Sequence, residues 1–162
     1  MSETERKMLT LPALDPATVP VRVGSTYPEA FRAPVAGRMK QRLGDAAGLK
    51  NFGVNLVRIP PGVASTQRHW HTRQDEFVYI LKGELVLVTD AGEQVLTAGM
   101  AAGFPANSGD GHVLINRSDR DAVYLEVGDR SEGDEVEYPD IDLAIRIVDG
   151  KPRPTHKDGT PY

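Results

Sequence analysis

The chain has 162 residues, of which 40% are hydrophobic and 26% charged, and this is typical of one globular domain with a proper core. A net charge of −4 argues against nucleic acid as the main partner, and the lack of cysteine excludes disulfides, thiolate ligands and a cysteine nucleophile. No apolar run approaches the roughly 18 residues of a membrane helix, and the N-terminus lacks the apolar core of a secretory signal. We therefore expect a cytoplasmic protein that contacts no membrane.

The first segment, residues 1–35, contains five prolines and little periodicity. We predict an arm that packs on the domain or on a partner chain, with one short strand at residues 21–23. A poorly ordered tail up to Pro16 is the alternative. Residues 41–48 are predicted to form one helical turn that ends at Gly48.

From residue 51 onward the pattern is one of short strands separated by glycine, proline and aspartate turns. Strands that recur roughly every 8 to 12 residues with little helix between them indicate a sandwich or barrel. The segments 111–116 and 122–127 are expected to pair around a polar turn, and residues 151–162 to form a loose polar end. The predicted strands are residues 52–59, 76–81, 84–89, 94–97, 100–104, 111–116, 122–127 and 141–148.

The most informative segment contains His69, His71 and Glu76 within eight residues. Residues two apart in a strand point to the same face, so the two histidines are close enough to chelate one cation. The four residues before Glu76 allow a turn that brings its carboxylate to the same point. Imidazole and carboxylate together suit a divalent transition metal.

A second segment, residues 99–116, carries His112 at the start of an apolar strand. Together the two segments resemble the two motifs of the cupin superfamily. The matching residues of the first motif are Gly62, His69, His71, Glu76 and Gly83, and those of the second are Gly99, Pro105, Asn107, His112 and Asn116. Three features depart from the family pattern. One extra residue precedes His69, two extra residues precede His112, and Asn107 stands in place of a glycine.

This resemblance implies an all-β fold, the cupin double-stranded β-helix or jelly roll, with an N-terminal arm and little helix. We predict an arm at residues 1–35, a cupin β-barrel at residues 36–150 and a C-terminal tail at residues 151–162. The resemblance also implies a homodimer, which would cover the open sheet edges.

The metal ligands that the resemblance implies are His69, His71, Glu76 and His112. Iron, manganese, nickel and zinc are all compatible with three imidazoles and one carboxylate. Four ligands leave two positions of an octahedron for water or a chelating substrate.

The chain also resembles a group of single-domain bacterial cupins, some of them named as sugar-phosphate isomerases of undefined activity. This implies a metal-dependent enzyme, an isomerase or related, that acts on a small oxygen-rich metabolite such as a sugar phosphate or a keto or hydroxy acid. An iron-dependent dioxygenase and a non-catalytic small-molecule-binding or sensor protein are the alternatives. Whether the protein is an enzyme stays open at this point, because the sequence shows no free catalytic base.

Pocket residues are predicted from strand alternation. Val78 and Ile80 share the face of Glu76, and Phe104 precedes the turn at Pro105. Arg58 lies in an apolar strand and is our candidate to bind a substrate anion, ahead of Arg68, Arg73 and Lys82. Three further expectations concern the rest of the chain: Trp70 faces away from the metal, His156 is a solvated tail residue, and the acidic run at residues 129–142 is a solvated surface and no calcium site.

Overall fold

The structure is a computed structural model that describes residues 8–162. It contains thirteen strands and one short α-helix, α1 (Leu43–Ala46). The strands are β1 (Val21–Val23), β2 (Met39–Arg42), β3 (Phe52–Ile59), β4 (Trp70–His71), β5 (Glu76–Lys82), β6 (Glu84–Thr89), β7 (Gly92–Thr97), β8 (Ala101–Phe104), β9 (Val113–Ile115), β10 (Ala122–Asp129), β11 (Val136–Tyr138), β12 (Leu143–Val148) and β13 (Lys151–Thr155).

These strands form three antiparallel sheets. A six-stranded sheet has the order β1-β2-β3-β10-β5-β8, a three-stranded sheet the order β7-β6-β9, and a four-stranded sheet the order β13-β12-β11-β4. The prediction of an all-β fold with little helix is confirmed. The sheets do not close into a single barrel within residues 8–162.

The main core lies between the six-stranded and three-stranded sheets. Val57, Ile59 and Ile80 of the first sheet are fully buried, and they pack in one cluster with Leu85 and Leu114 of the second. Alternate residues of each strand supply this layer, as expected for strands with one buried face. The opposite end of the same inner face carries the polar residues of the site described below.

The described part of the N-terminal arm packs on the domain. The strand predicted at residues 21–23 is confirmed as β1, which pairs with β2 at the edge of the six-stranded sheet. Tyr27 and Phe31 pack against the apolar side chains of β11 and β12. The predicted helical turn is confirmed as α1, and Gly48 has the positive φ of +78° that ends such a turn. Residues 1–7 of the predicted arm lie outside the described residues.

One prediction about strand pairing is wrong. The segments predicted at residues 111–116 and 122–127 do not pair, because β9 lies beside β6 and β10 lies between β3 and β5. The buried Asn116 side chain donates to the carbonyl oxygens of Ile59 and Arg120, both at 2.7 Å, and so fixes the turn that carries the chain from one sheet to the other.

The C-terminal segment is not a loose end. Its β13 pairs with β12 over five residues, and Thr155 is buried. His156 lies 2.7 Å from Asp142 and stacks on Tyr162, and 36% of its side chain is exposed. It is therefore a partly solvated residue, as predicted, but it belongs to an ordered segment. None of the helices within residues 8–162 is long and apolar enough to cross a membrane.

Candidate metal centre

The two histidine segments are joined through their backbones. His69 donates its backbone N–H to the carbonyl oxygen of His112 at 3.2 Å, and His112 returns a hydrogen bond of 2.9 Å. His71 lies in β4, where its carbonyl oxygen accepts from the backbone N–H of Asn107 at 2.7 Å. Asn107 has a φ of +57°, so it adopts the conformation in which glycine is usual and asparagine is tolerated.

All three imidazoles approach the carboxylate of Glu76, the first residue of β5. Nε2 of His112 lies 2.7 Å from Oε2, Nε2 of His69 lies 3.3 Å from the same oxygen, and Nε2 of His71 lies 3.4 Å from Oε1. Ligand atoms of His69, His71 and Glu76 all lie within 4.8 Å of one another. The ring of His112 is 4.6 Å from that of His69, centroid to centroid.

This geometry fits a divalent cation better than a set of hydrogen bonds. Oε2 of Glu76 is buried and accepts no hydrogen bond from residues 8–162, despite its two close imidazole nitrogens. Adjacent ligands at right angles around an ion, each about 2.1 Å from it, are about 3 Å apart. The observed contacts lie near this spacing. The cluster of His69, His71 and Glu76 therefore suits a divalent metal, and a role for His112 as a further ligand stays a prediction.

Groups behind two of the imidazoles set their orientation. Nδ1 of His71 lies 2.6 Å from the carboxylate of Asp134, and Nδ1 of His69 lies 3.0 Å from the carbonyl oxygen of Gln67. Because a carbonyl oxygen only accepts, Nδ1 of His69 donates, and Nε2 of the neutral ring is left free for a cation. The other oxygen of Asp134 accepts from the backbone N–H of Arg73 and of Gln74, which fixes the loop before Glu76.

The third imidazole is held by stacking. The ring of Phe104 lies parallel to that of His112, with centroids 3.6 Å apart. Nδ1 of His112 is buried and has no hydrogen-bond partner within the described residues. Phe104 and Val78 line the small space beside the ring, together with Tyr124. These apolar neighbours exclude water from one side of the site.

The charges of the cluster depend strongly on one another. Burial by itself raises the pKa of Glu76, but the three adjacent histidines outweigh it and hold that pKa well below its ordinary range. Burial lowers the pKa of His112, which favours the neutral form that a metal ligand needs. Burial also acts to lower the pKa of His71, but the adjacent Glu76 and Asp134 outweigh it and raise the pKa to about 9.

A polar cavity of about 270 Å³ opens onto Glu76. Its wall is the inner face of the six-stranded sheet, to which β2 contributes Lys40 and Arg42 and β10 contributes Glu126. Oε1 of Glu126 accepts from Lys40 at 2.9 Å and from Asn55 at 3.0 Å. Burial alone raises the pKa of Glu126, but the charge of Lys40 outweighs it and keeps that pKa below its ordinary value.

The predicted pocket residues divide into two groups. Val78 and Phe104 lie beside the cluster, whereas Ile80 is fully buried further along the same strand face, in the main core. Arg58 is not brought to the cavity. It alternates with the buried Val57 and Ile59, so it points outward, where it pairs with Asp121 at 3.2 Å.

The other predicted anion binders also have positions outside the cavity. Arg68 is bound by Asp90 and Asp140 at 2.5 and 2.8 Å, so its role is structural.

Trp70 is half-buried in β4, beside Glu137 of β11.

Sequence reasoning missed three groups of the site. Asp134 lies in the acidic run that was expected to be solvated, yet only 9% of its side chain is exposed. Glu126 and Lys40 come from strands far apart in the chain, and neither matches a motif. The sequence did contain a signal for Glu126. In an extended strand Glu126 shares a face with Tyr124 and Gly128, and a charged residue on a buried strand face is unusual.

Known proteins resemble this chain in sequence and in fold. Residues 55–128 match the profile of the Cupin domain family. A structure from Silicibacter pomeroyi DSS-3, described as a sugar phosphate isomerase from a cupin superfamily, is 44% identical, with a TM-score of 0.88 and coverage of 93% of this chain and 96% of that one. The search of curated proteins gave no match.

Two further structures extend the comparison. A protein from Acidithiobacillus ferrooxidans ATCC 23270, named only provisionally as a sugar phosphate isomerase, is 30% identical, with a TM-score of 0.70 and coverage of 78% of this chain and 81% of that one. A polyketide cyclase from Streptomyces resistomycificus is 19% identical, with a TM-score of 0.58 and coverage of 75% and 80% of the two chains, and so shares the fold alone. The sheets, the two histidine segments and these similarities together establish that the chain is a member of the cupin superfamily with a jelly-roll fold.

Proposed function

We propose that this protein is a metal-dependent enzyme of the isomerase type, acting on a small oxygen-rich metabolite such as a sugar phosphate or a keto or hydroxy acid. The observation that carries the proposal is the cluster of His69, His71 and Glu76 at the end of a polar cavity. A divalent cation held there would supply Lewis-acid polarisation of a carbonyl oxygen. The names of the two relatives that are 44% and 30% identical support the same reaction class.

Glu126 supplies the proton-transfer group that the sequence did not reveal. Glu126 pairs with Val78, and Gly128 pairs with Glu76, so the carboxylate of Glu126 is a diagonal neighbour of Glu76 on one sheet face. Both hydrogen bonds to Glu126 fall on Oε1, and Oε2 accepts none from residues 8–162. Lys40 keeps the carboxylate ionised, so Oε2 is available as a base.

The step assigned to Glu126 is a proton transfer between neighbouring carbons. Oε2 removes the proton from the carbon that bears the hydroxyl group, and the C–H electron pair forms the double bond of an enediolate. The proton then returns to the former carbonyl carbon, while the hydroxyl proton passes to the former carbonyl oxygen. The former hydroxyl oxygen becomes the new carbonyl oxygen, so the isomerisation needs no oxidant or reductant. Phe104 and Val78 exclude water on the apolar side of the cluster and so limit proton exchange with solvent.

The test combines metal analysis with a substrate screen. Protein reconstituted with manganese, iron, nickel or zinc is assayed against a panel of sugar phosphates and keto acids under anaerobic conditions. We expect anaerobic turnover, and we expect Glu126→Gln to lower kcat by about 100-fold or more while metal content is unchanged. Glu84→Gln, at an exposed position of β6, is the matched control.

Two results would overturn the proposal. Turnover that requires ferrous iron and consumes oxygen would assign the protein as a dioxygenase. Retention of metal and of a bound small molecule, without turnover across the whole panel, would assign it as a binding or sensor protein.

A further inference from the structure

Two glycines face each other in the wall of the cavity beside Glu76. Gly53 of β3 pairs directly with Gly128 of β10, and Gly128 pairs with Glu76 of β5. Neither glycine has a positive φ, so the backbone conformation does not explain the choice of residue. A Cβ added at Gly53 would meet Arg130 Nη2 at 3.7 Å, which is ordinary contact. A Cβ added at Gly128 would lie 3.4 Å from the carbonyl oxygen of Asp75. The two glycines therefore keep side chains off this part of the cavity wall and allow a bound molecule to approach the backbone closely.

Two guanidinium groups lie together at the rim of this cavity. Arg42 and Arg130 both approach the single carboxylate of Asp45, Arg42 at 3.7 Å, and all three residues line the cavity. The guanidinium of Arg42 donates no hydrogen bond to residues 8–162, and 51% of its side chain is exposed. The carboxylate of Asp129 also lines the cavity, but it accepts from the backbone N–H of Asp75 and from the hydroxyl of Ser131. The free donors of Arg42 are suited to a planar or tetrahedral anion.

The arginine rim and the metal cluster lie at opposite ends of the cavity. Arg42 of β2 pairs with Asn55 of β3, Asn55 pairs with Glu126 of β10, and β10 lies beside β5, which carries Glu76. Three strand spacings of about 4.8 Å therefore separate the backbones of Arg42 and Glu76. A molecule that reaches both ends has to be elongated.

We propose that Arg42 and Arg130 bind the phosphate or carboxylate terminus of an elongated substrate, which lies over Gly53 and Gly128 with its oxygen-bearing other end at Glu76. This inference rests on the proposed function for the chemistry at the metal end, and it narrows the substrate class to small molecules with a terminal anion. The two arginines of the anion site belong to β2 and to the segment after β10, and neither belongs to the metal cluster.

The experiment measures anion binding directly. Inorganic phosphate and, separately, acetate are titrated by calorimetry into metal-reconstituted protein and into His69→Ala protein, whose metal cluster is incomplete. We expect phosphate, acetate or both to bind in each protein, and the tighter of the two identifies the terminal group. Arg42→Gln and Arg130→Gln are each expected to weaken this binding about tenfold, as for the loss of a charge-assisted hydrogen bond.

Two further variants distinguish a specific loss of anion binding from a general loss of protein stability. Gly53→Val fills the space between the strands while valine suits a strand, so we expect a folded protein that also binds the anion about tenfold more weakly. Arg58→Gln is the matched control, because Arg58 lies in the same strand as Gly53 but on the outer face, paired with Asp121. It should bind the anion as the unaltered protein does.

Anion affinity that is unchanged in Arg42→Gln, Arg130→Gln and Gly53→Val would overturn the inference. So would the absence of binding by either probe in the unaltered protein. Metal content and turnover are separate readouts. Anion binding that survives without turnover would refute the proposed enzyme and leave this site in place, whereas turnover without an effect of the two arginines would refute this site alone.

Discussion

The two faces of the six-stranded sheet differ in an unusual way. Along β5 the inner face carries Glu76 and the core residue Ile80, whereas the outer face carries Phe77, Tyr79 and Leu81, which are 44%, 41% and 45% exposed. The inner face thus buries a charge, and the outer face exposes large apolar side chains.

The ion pairs of the sheet sharpen this contrast. Lys40 and Glu126 form an inner pair at 2.9 Å, with side chains only 21% and 17% exposed. Arg58 and Asp121 form an outer pair at 3.2 Å, with side chains 49% and 39% exposed. Buried charges cost free energy of desolvation that surface charges avoid, so their presence on the inner face indicates a functional cavity, and the outer pair is a surface feature.

The largest expected effect concerns the metal end of the inner face. His69→Ala or His112→Ala removes an imidazole from the cluster and should lower metal affinity more than about 100-fold, since losing even a supporting residue costs about 10- to 100-fold. Elemental analysis after dialysis measures this, and circular dichroism checks that the β fold is retained. His156→Ala, at the paired histidine of the C-terminal segment, is the control. Full metal content in either cluster variant would refute the ligand assignment.

The next largest effect concerns the stability cost of substituting two neighbouring residues of β5. Ile80 is fully buried in the main core and Leu81 is 45% exposed on the outer face. Ile80→Ala should lower the free energy of unfolding by about 3 to 4 kcal/mol, because it removes packed atoms and leaves a cavity. Leu81→Ala should cost less than about 1 kcal/mol. Urea denaturation measures both, and equal costs would contradict the assignment of the two faces.

The two ion pairs provide a third test, with a dependence on pH. Lys40→Met leaves Glu126 buried without its cation and should cost about 3 kcal/mol near neutral pH. Arg58→Met should cost less than about 1 kcal/mol.

The sign of the pH dependence follows from the lowered pKa of Glu126. Burial alone raises this pKa, but Lys40 outweighs it. The pair therefore contributes stability that is present above the unfolded pKa of about 4.3 and is lost as the pH falls through the folded pKa. Without Lys40 burial dominates and raises the pKa. The cost of Lys40→Met should thus grow between about pH 4 and about pH 7, and a cost independent of pH would contradict this account.

The smallest effect concerns the edge of the sheet and the homodimer, which stays a prediction. Val21 and Val23 of the edge strand β1 are 53% and 68% exposed in the single chain, within the arm predicted to contact a partner. If the arm lies in a dimer interface, Val21→Lys with Val23→Lys should weaken dimerisation about tenfold, through lost apolar burial. Sedimentation equilibrium tests this, with Ile147→Lys on β12 as control. A monomeric unaltered protein would refute the homodimer.

Local patterns predicted much of the fold. The strand predicted at residues 52–59 coincides with β3, and the one at residues 84–89 with β6. The pairing of β9 was not predictable in the same way. Its segment and that of β10 are adjacent in sequence, but the hydrogen bonds of the buried Asn116 direct the chain across to another sheet.

The candidate site likewise contains residues that are close in sequence and residues that only the sheet order brings together. His69, His71 and Glu76 are near in sequence, so strand alternation and a short turn sufficed to bring them together. Asp134 reaches His71 only because β11 pairs with β4, and Glu126 reaches the cavity only because β10 lies between β3 and β5. Arg58 was favoured as the anion binder from its apolar strand, and the pairing partners of β3 decided that Arg58 faces outward.

The sequence by itself determined an all-β fold and a metal-binding cluster, because both depend on residues a few positions apart with a fixed strand period. Only the tertiary structure decided which charges enter the cavity. Lys40, Arg42, Glu126 and Arg130 come from segments up to about 90 residues apart, and sheet order and register set which of their side chains share the inner face.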